Sequence, residues 1–334
     1  MIRPRVFVTQ PIAESALARL RAAADVEVNP DSSRVLPKAD LIEAVKRCDI
    51  LLSLLHDTVD RDVLAANPKL QAVSSMNITQ DRIDLAAANE LGIPVTNIPA
   101  IVTDATADIG FGLLLAVARN IALGDRLFRQ GVYPGSQSNH FAGAAVTGKT
   151  LGLVGFGRIG QALARRARGF DMRIVYADPV RLSGDQEAAL GASYRSFEDV
   201  LREADFVSLH PQLSPATRHL MSDAQFSLMK PTAFVINTSR GPVIDEAALV
   251  RALKAKTIAG AGLDVYEHEP AVAPELVAMP NVVLTPHLGS AVLELREGMA
   301  HVVVDNTLAL IAGKTPVSCL NPQVLERYLK RLPG

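Results

Sequence analysis

One stretch, GLVGFGRIGQALARRARGFDMRIVYADP from Gly152 to Pro179, constrains this chain more than any other. The apolar run Leu151 to Val154 leads into Gly155, Gly157 and Gly160, after which Ala162, Leu163, Ala164 and Ala167 recur at helical spacing. A G-x-G-x-x-G turn between a strand and a helix opens a βαβ unit. Its first glycine permits a tight turn, its second lets a pyrophosphate approach the backbone, and its third lets helix and strand pack closely. The unpaired N–H groups at the helix start then face phosphate oxygens. A second apolar run, Arg173 to Ala177, ends at Asp178, near the spacing of about 20 residues that puts an acid on a ribose diol. Alone, the glycines could be a structural turn. The strand, helix, second strand and terminal acid together make a dinucleotide site. The acid favours NAD over NADP, because it repels a 2′-phosphate, although Arg181 lies close enough to leave NADP open.

The rest of the chain repeats the alternation of strand and helix. RVFVTQ, VEVN, ILLSLL, LQAVSSMN and IPVTNIP read as strands, with helices around 16–24 and 38–46 and a third that stops at Gly92. A long helical segment, about 102–131, looks like a crossing between domains. FVSLH, AFVIN, AGLDV and VVLT supply further strands, SNHFAGAAVTG reads as a loop, and a helix around 291–310 carries the chain back. Such alternation implies parallel sheets covered by helices. The expectation is α/β, with two doubly wound parallel-sheet domains. A Rossmann NAD-binding domain, 101–289, is inserted in a discontinuous flavodoxin-like substrate domain, 1–100 and 290–334.

At 334 residues the chain can bury two modest cores. Lysine plus arginine, 34, nearly balances aspartate plus glutamate, 35, so no basic field exists to hold nucleic acid or an anionic membrane surface. The expected partner is a small molecule. Two cysteines, Cys48 and Cys319, lie far apart with no ligating neighbours, so neither a disulfide framework nor a metal site is expected. The N-terminus enters a strand without the apolar core of a signal peptide, and a cytoplasmic setting is expected. The N-x-[ST] matches at Asn77 and Asn237 are read as chance.

In an open parallel sheet, ligands bind outside the carboxyl ends of the strands. After AFVIN come Thr238, Ser239 and Arg240; after AGLDV come Glu267, His268 and Glu269; after VVLT come Pro286, His287 and Gly289. Arg240 can grip a carboxylate or polarise a carbonyl with its planar, permanently charged fork. His287 can give or take the hydroxyl proton. Glu269 can orient the imidazole and favour its protonated form. Alternatives stay open: Arg240 could cap a loop or pair with Asp245, His287 could be satisfied by backbone, and Glu267 competes with Glu269. Asp264, read as lying within its strand, either faces the nicotinamide amide or accepts structural N–H groups.

GKTLGLVGFGRIG, LMKPTAFVINTSRGPVIDEAALVRAL, AGAGLDVYEHEP and LTPHLGSA, in that order, resemble the D-isomer-specific 2-hydroxyacid dehydrogenase family over nearly the whole chain. The resemblance implies two domains with a cleft between them, a homodimer, and NAD(P)-linked interconversion of 2-oxo and 2-hydroxy acids, with Arg240, Glu269 and His287 catalytic. Carried over with it are cofactor contacts at Thr106, Gly155, Gly157, Arg158, Ile159, Gly160, Asp178, His210, Pro211, Thr217, Thr238, Ser239, Asp264 and Gly289. Substrate contacts are implied at Leu55, Asn77, Ile78 and Thr79 besides Arg240 and His287. TDATADIGFGLLLAVAR and LLSLLHDTVD look most like glyoxylate and hydroxypyruvate reductases. SSMNITQDRID departs from the family, with Asn77 and Thr79 where glycines are common, and no tryptophan is present; Tyr133 stands where many relatives carry an indole. The competing readings are a dinucleotide-sensing corepressor-like scaffold, disfavoured by the lack of a disordered tail, and phosphite oxidation, disfavoured by Ile78 in place of a lysine. Formate oxidation is disfavoured by Glu269 in place of a glutamine.

Overall fold

The strands are short and apolar on both faces, as strands of parallel sheets buried between helical layers must be. The computed structural model describes residues 3–31, 33–136 and 138–330. It divides into two compact units, Met1–Ile101 with Val292–Gly334, and Val102–Ala291.

The first unit holds β1 (Arg5–Val8), β2 (Asp25–Val28), β3 (Ile50–Ser53), β4 (Ala72–Ser75) and β5 (Val95–Thr96). They pair in parallel in the order β2-β1-β3-β4-β5, the flavodoxin-like arrangement. Phe7, Leu51, Val73 and Val95 form one register row. That row packs against Leu41, Val45, Val63, Leu64, Ala87 and Ala88 of three helices on one face. The returning helix, Leu293–Ile311, lies with helix Glu14–Ala23 and against β3 and β4.

The second unit holds β6 (Thr150–Val154), β7 (Arg173–Ala177), β8 (Ala192–Tyr194), β9 (Phe206–Leu209), β10 (Phe234–Asn237), β11 (Gly260–Leu263) and β12 (Val282–Leu284). The parallel order is β12-β11-β10-β9-β6-β7-β8. Counted from β6, this is the dinucleotide-binding order 3-2-1-4-5-6 extended by one strand. Alternate residues feed opposite cores, since side chains along a strand point to opposite faces. Leu151, Leu153, Ile174, Tyr176 and Phe206 enter one, and Val154, Val175, Val207 and Leu209 the other.

Three expectations change. The long segment at 102–131 is two helices, Thr103–Ala118 and Ile121–Arg129, bent by 64° where Asn120 takes φ 55°. Asparagine tolerates that left-handed conformation, so the chain turns there. The first of these helices packs on β10, β11 and helix Arg158–Ala167 of the second unit. Strand β8 was not expected; its three residues are too few to show a pattern. Asp264 follows β11 instead of lying within it. Among the described residues, no single helix is long and apolar enough to cross a membrane.

Candidate active site

The glycine turn is shaped by close approach. Gly155 has φ 85°, and a Cβ there would lie 2.7 Å from the carbonyl carbon of His210; at Gly160 it would lie 2.5 Å from the oxygen of Gly155. At Gly157 it would meet nothing within 4 Å. Two glycines are therefore required by packing, while the third leaves open space at the start of helix Arg158–Ala167. Gly157 caps that helix without a side chain. The leading N–H groups, those of Arg158, Ile159 and Gly160, have no intrahelical acceptor and point toward that space. Asp178, ending β7, reaches back to the turn: its Oδ2 accepts from the N–H of Phe156 (2.6 Å) and its Oδ1 from that of Val180 (2.8 Å).

Next in the sheet, β9 is followed by His210 and Pro211. The N–H of His210 donates to Val154 (2.7 Å), and its Nε2 meets the Ser208 hydroxyl at 2.9 Å. Its Nδ1 is buried without a partner, and burial pushes the ring down to about 4. The Thr238 hydroxyl, after β10, is likewise buried and unpartnered. Buried polar groups are normally paired. An open anion cradle, an acid at the ribose position and two orphaned polar atoms on neighbouring strands fit a dinucleotide. Thr217 contributes differently, since its hydroxyl donates to the Gln212 carbonyl (2.6 Å) and accepts from the Ser214 N–H (2.8 Å), tying its own loop.

Arg240, Glu269 and His287 follow β10, β11 and β12, adjacent strands of one sheet. Oε2 of Glu269 lies 3.2 Å from Nδ1 of His287, and Oε1 accepts from the N–H of Tyr266 (3.1 Å). A carboxylate only accepts, so Nδ1 carries the hydrogen and Nε2 is the ring nitrogen that can exchange a proton with substrate. Glu269 is 9% exposed and His287 27%. Glu267, the competing acid, instead takes hydrogen bonds from His219 and Arg218.

His287 itself has φ 55°. A side chain other than glycine holds that conformation only where its surroundings dictate it. Here Asp264 does so: its carbonyl accepts from the N–H of His287 (3.0 Å), and its carboxylate accepts from Leu288 N (2.6 Å), Gly289 N (2.8 Å) and the Thr285 hydroxyl (2.6 Å). Burial pushes the Asp264 carboxyl above its ordinary value against those donors. Of the two roles open to Asp264, the contacts present are those of a structural acceptor. Gly289 in turn accepts from the Thr106 hydroxyl (3.0 Å).

Asn237 was missed. Its Nδ2 donates to the Arg240 carbonyl (3.0 Å), and its Oδ1 accepts from the N–H (3.0 Å) and hydroxyl (2.8 Å) of Ser239, so it shapes the turn that presents Arg240. An asparagine closing an apolar run before Ser and Gly is a turn signal that could have found it. In the first unit, Leu55 follows β3 and Asn77, Ile78 and Thr79 follow β4. Asn77 is buried, donates its N–H to the Ser75 hydroxyl (3.1 Å) and accepts from Ile98 N (3.1 Å), while its side-chain Nδ2 has no partner.

Residues 111–289 match the family model for D-isomer specific 2-hydroxyacid dehydrogenase, NAD binding domain. The chain belongs to the D-isomer specific 2-hydroxyacid dehydrogenases. It is 45% identical to a glyoxylate reductase of Thermococcus litoralis, over 97% of this chain and 98% of that one. Among solved structures, a Thermus thermophilus protein is 40% identical with a TM-score of 0.85, covering 95% of this chain and 99% of its own. A glyoxylate reductase from Paecilomyes thermophila is 29% identical with a TM-score of 0.81, covering 97% and 100%. As a 2-hydroxyacid dehydrogenase, the protein is an NAD-linked oxidoreductase acting on the CH–OH group of its substrate.

Proposed function

We propose that this dehydrogenase reduces a small 2-oxo acid, glyoxylate or hydroxypyruvate, with NADH in preference to NADPH. The contact of Glu269 with Nδ1 of His287, past the ends of two strands in succession beside the one that Arg240 follows, carries the reading. NADH, when bound, supplies a hydride to the carbonyl carbon. Arg240 holds the substrate carboxylate and draws electron density toward the carbonyl oxygen, lowering the barrier at the neighbouring carbon. As the carbonyl becomes an alkoxide, Nε2 of His287 gives its proton to that oxygen, leaving a neutral imidazole that regains a proton from water. Glu269 orients the ring and stabilises its charged form before transfer. Oxidation of the hydroxy acid runs the same steps backwards.

Names borne by the relatives support glyoxylate. Asp178 at the ribose position supports NADH. Arg181, the cation that would welcome a 2′-phosphate, is drawn to Glu187 (2.9 Å) and lies over the Tyr194 ring at 5.3 Å. We further infer a homodimer in the cytoplasm. Helix Ile121–Arg129 buries none of its residues and, with the following loop, exposes Ile121, Phe128, Val132 and Tyr133. An apolar patch of that kind suits a second copy of the chain. Cys48 is buried and free, its thiol pushed up to about 12 by burial, as suits a reducing compartment.

The test is turnover of a panel of 2-oxo acids, from glyoxylate and hydroxypyruvate to bulkier acids, with each cofactor. The two small acids with NADH should give the highest kcat/KM, and Asp178→Ala should narrow the gap between NADH and NADPH. Equal efficiency with both cofactors in the unaltered protein contradicts the cofactor assignment. Cofactor binding without turnover of any acid favours a dinucleotide-sensing scaffold.

A further inference from the structure

Two carboxylates beyond the reacting pair grip the loop that carries Glu269. Glu246 opens helix Glu246–Lys254, shortly after Arg240 in the chain. Its Oε2 accepts from the backbone N–H of Glu267 (3.1 Å) and its Oε1 from that of Ala273 (2.8 Å). Glu267 returns the contact: its Oε2 accepts from the N–H of Glu246 (3.1 Å), while its Oε1 takes the His219 ring and Arg218. The loop is thus held before and after Glu269.

The anchor is itself closely packed. A Cβ on Gly241 would lie 1.8 Å from the carbonyl oxygen of Tyr266, so the chain leading from Arg240 into this helix runs backbone against backbone with the loop. The Glu267 side chain is 8% exposed. Burial pushes its carboxyl up, but the hydrogen bonds from His219 and the Glu246 N–H outweigh this and hold it below the ordinary range. Titratable and charged groups around the grip include Arg218, His219, Asp264, Tyr266, His268 and Glu269.

We propose that Glu246 is a positioning residue: by hanging the loop from Asp264 to Ala273 on the start of its helix, it sets the Glu269 carboxylate against His287. This rests on the proton-transfer role proposed for Glu269 and His287. A hydrogen-bonded carboxylate displaced by about 1 Å no longer orients the ring, and misplacement of that order can cost about 10²-fold in rate. Glu246→Gln keeps the size and one acceptor oxygen but turns an NH₂ group toward the second N–H; Glu246→Ala removes both acceptors.

The test measures steady-state kinetics per NADH-binding site, counted by fluorescence titration, with kcat in H₂O and D₂O. Glu246→Gln should lower kcat about 10- to 100-fold, leave KM for the 2-oxo acid and Kd for NADH within about threefold, and raise the solvent isotope effect as proton transfer becomes limiting. Glu246→Ala should lose more; if it does not fold, Glu246→Gln decides. An unchanged kcat per binding site, or a loss shared with KM at constant isotope effect, overturns the proposal. Should His287→Ala stay active, the proton-transfer reading falls; an inactive His287→Ala beside a fully active Glu246→Gln removes this inference alone.

Discussion

His210 sits just past the end of β9 with its ring pushed down by burial to about 4, against an ordinary value near 6.5. Between those values an unfolded chain binds a proton that the folded protein refuses, so stability falls as pH falls through that window, by at most about 1.4 kcal/mol per pH unit. His210→Asn keeps a polar side chain near Ser208 and cannot titrate. Its thermal midpoint should drop less between pH 7 and 4.5 than that of the unaltered protein, and equal slopes would assign the acid sensitivity elsewhere. The placement of Arg240 and His287 just past strand ends was legible in the sequence because each follows an apolar run. Glu269 was chosen there with Glu267 as its competitor, and what turns Glu267 away is His219 and Arg218, which arrive from a distant loop. The grip of Glu246 was hidden, because its partners are backbone groups that no side-chain pattern reports.

Among elements, the strand, glycine turn and helix from β6 to Ala167 follow from sequence most directly, because backbone approach leaves glycine as the residue that fits. Strand β8 and the break at Asn120 were hidden. A three-residue edge strand has no periodicity to show, and a single left-handed residue interrupts a helix without disturbing its composition. The break matters because it frees helix Ile121–Arg129, whose Phe128 is 62% exposed and meets Tyr133 edge to face at 5.6 Å. If that patch joins two copies, Phe128→Asp buries a charge in the interface and should convert the dimer to a monomer in sedimentation or light scattering at micromolar concentration. A monomeric unaltered protein, or a variant of unchanged mass, would place the contact elsewhere.

At the scale of the molecule, alternating strands and helices were enough to expect two doubly wound sheets, since a parallel sheet needs a helical crossover for each step. Spatial order came only with the fold, which sets Asp178, the glycine turn, His210, Arg240, Glu269 and His287 at carboxyl ends along one sheet. The proposed cofactor cradle and reacting groups thus share one sheet, and the proposed mechanism turns on the proton delivered by His287. Its most direct test is kcat of His287→Ala for 2-oxo acid reduction, measured beside NADH affinity by fluorescence titration. Loss of about 10² to 10⁴ in kcat is expected, the usual worth of a positioned general acid, with NADH binding close to normal; a variant that keeps most of its kcat would contradict the mechanism.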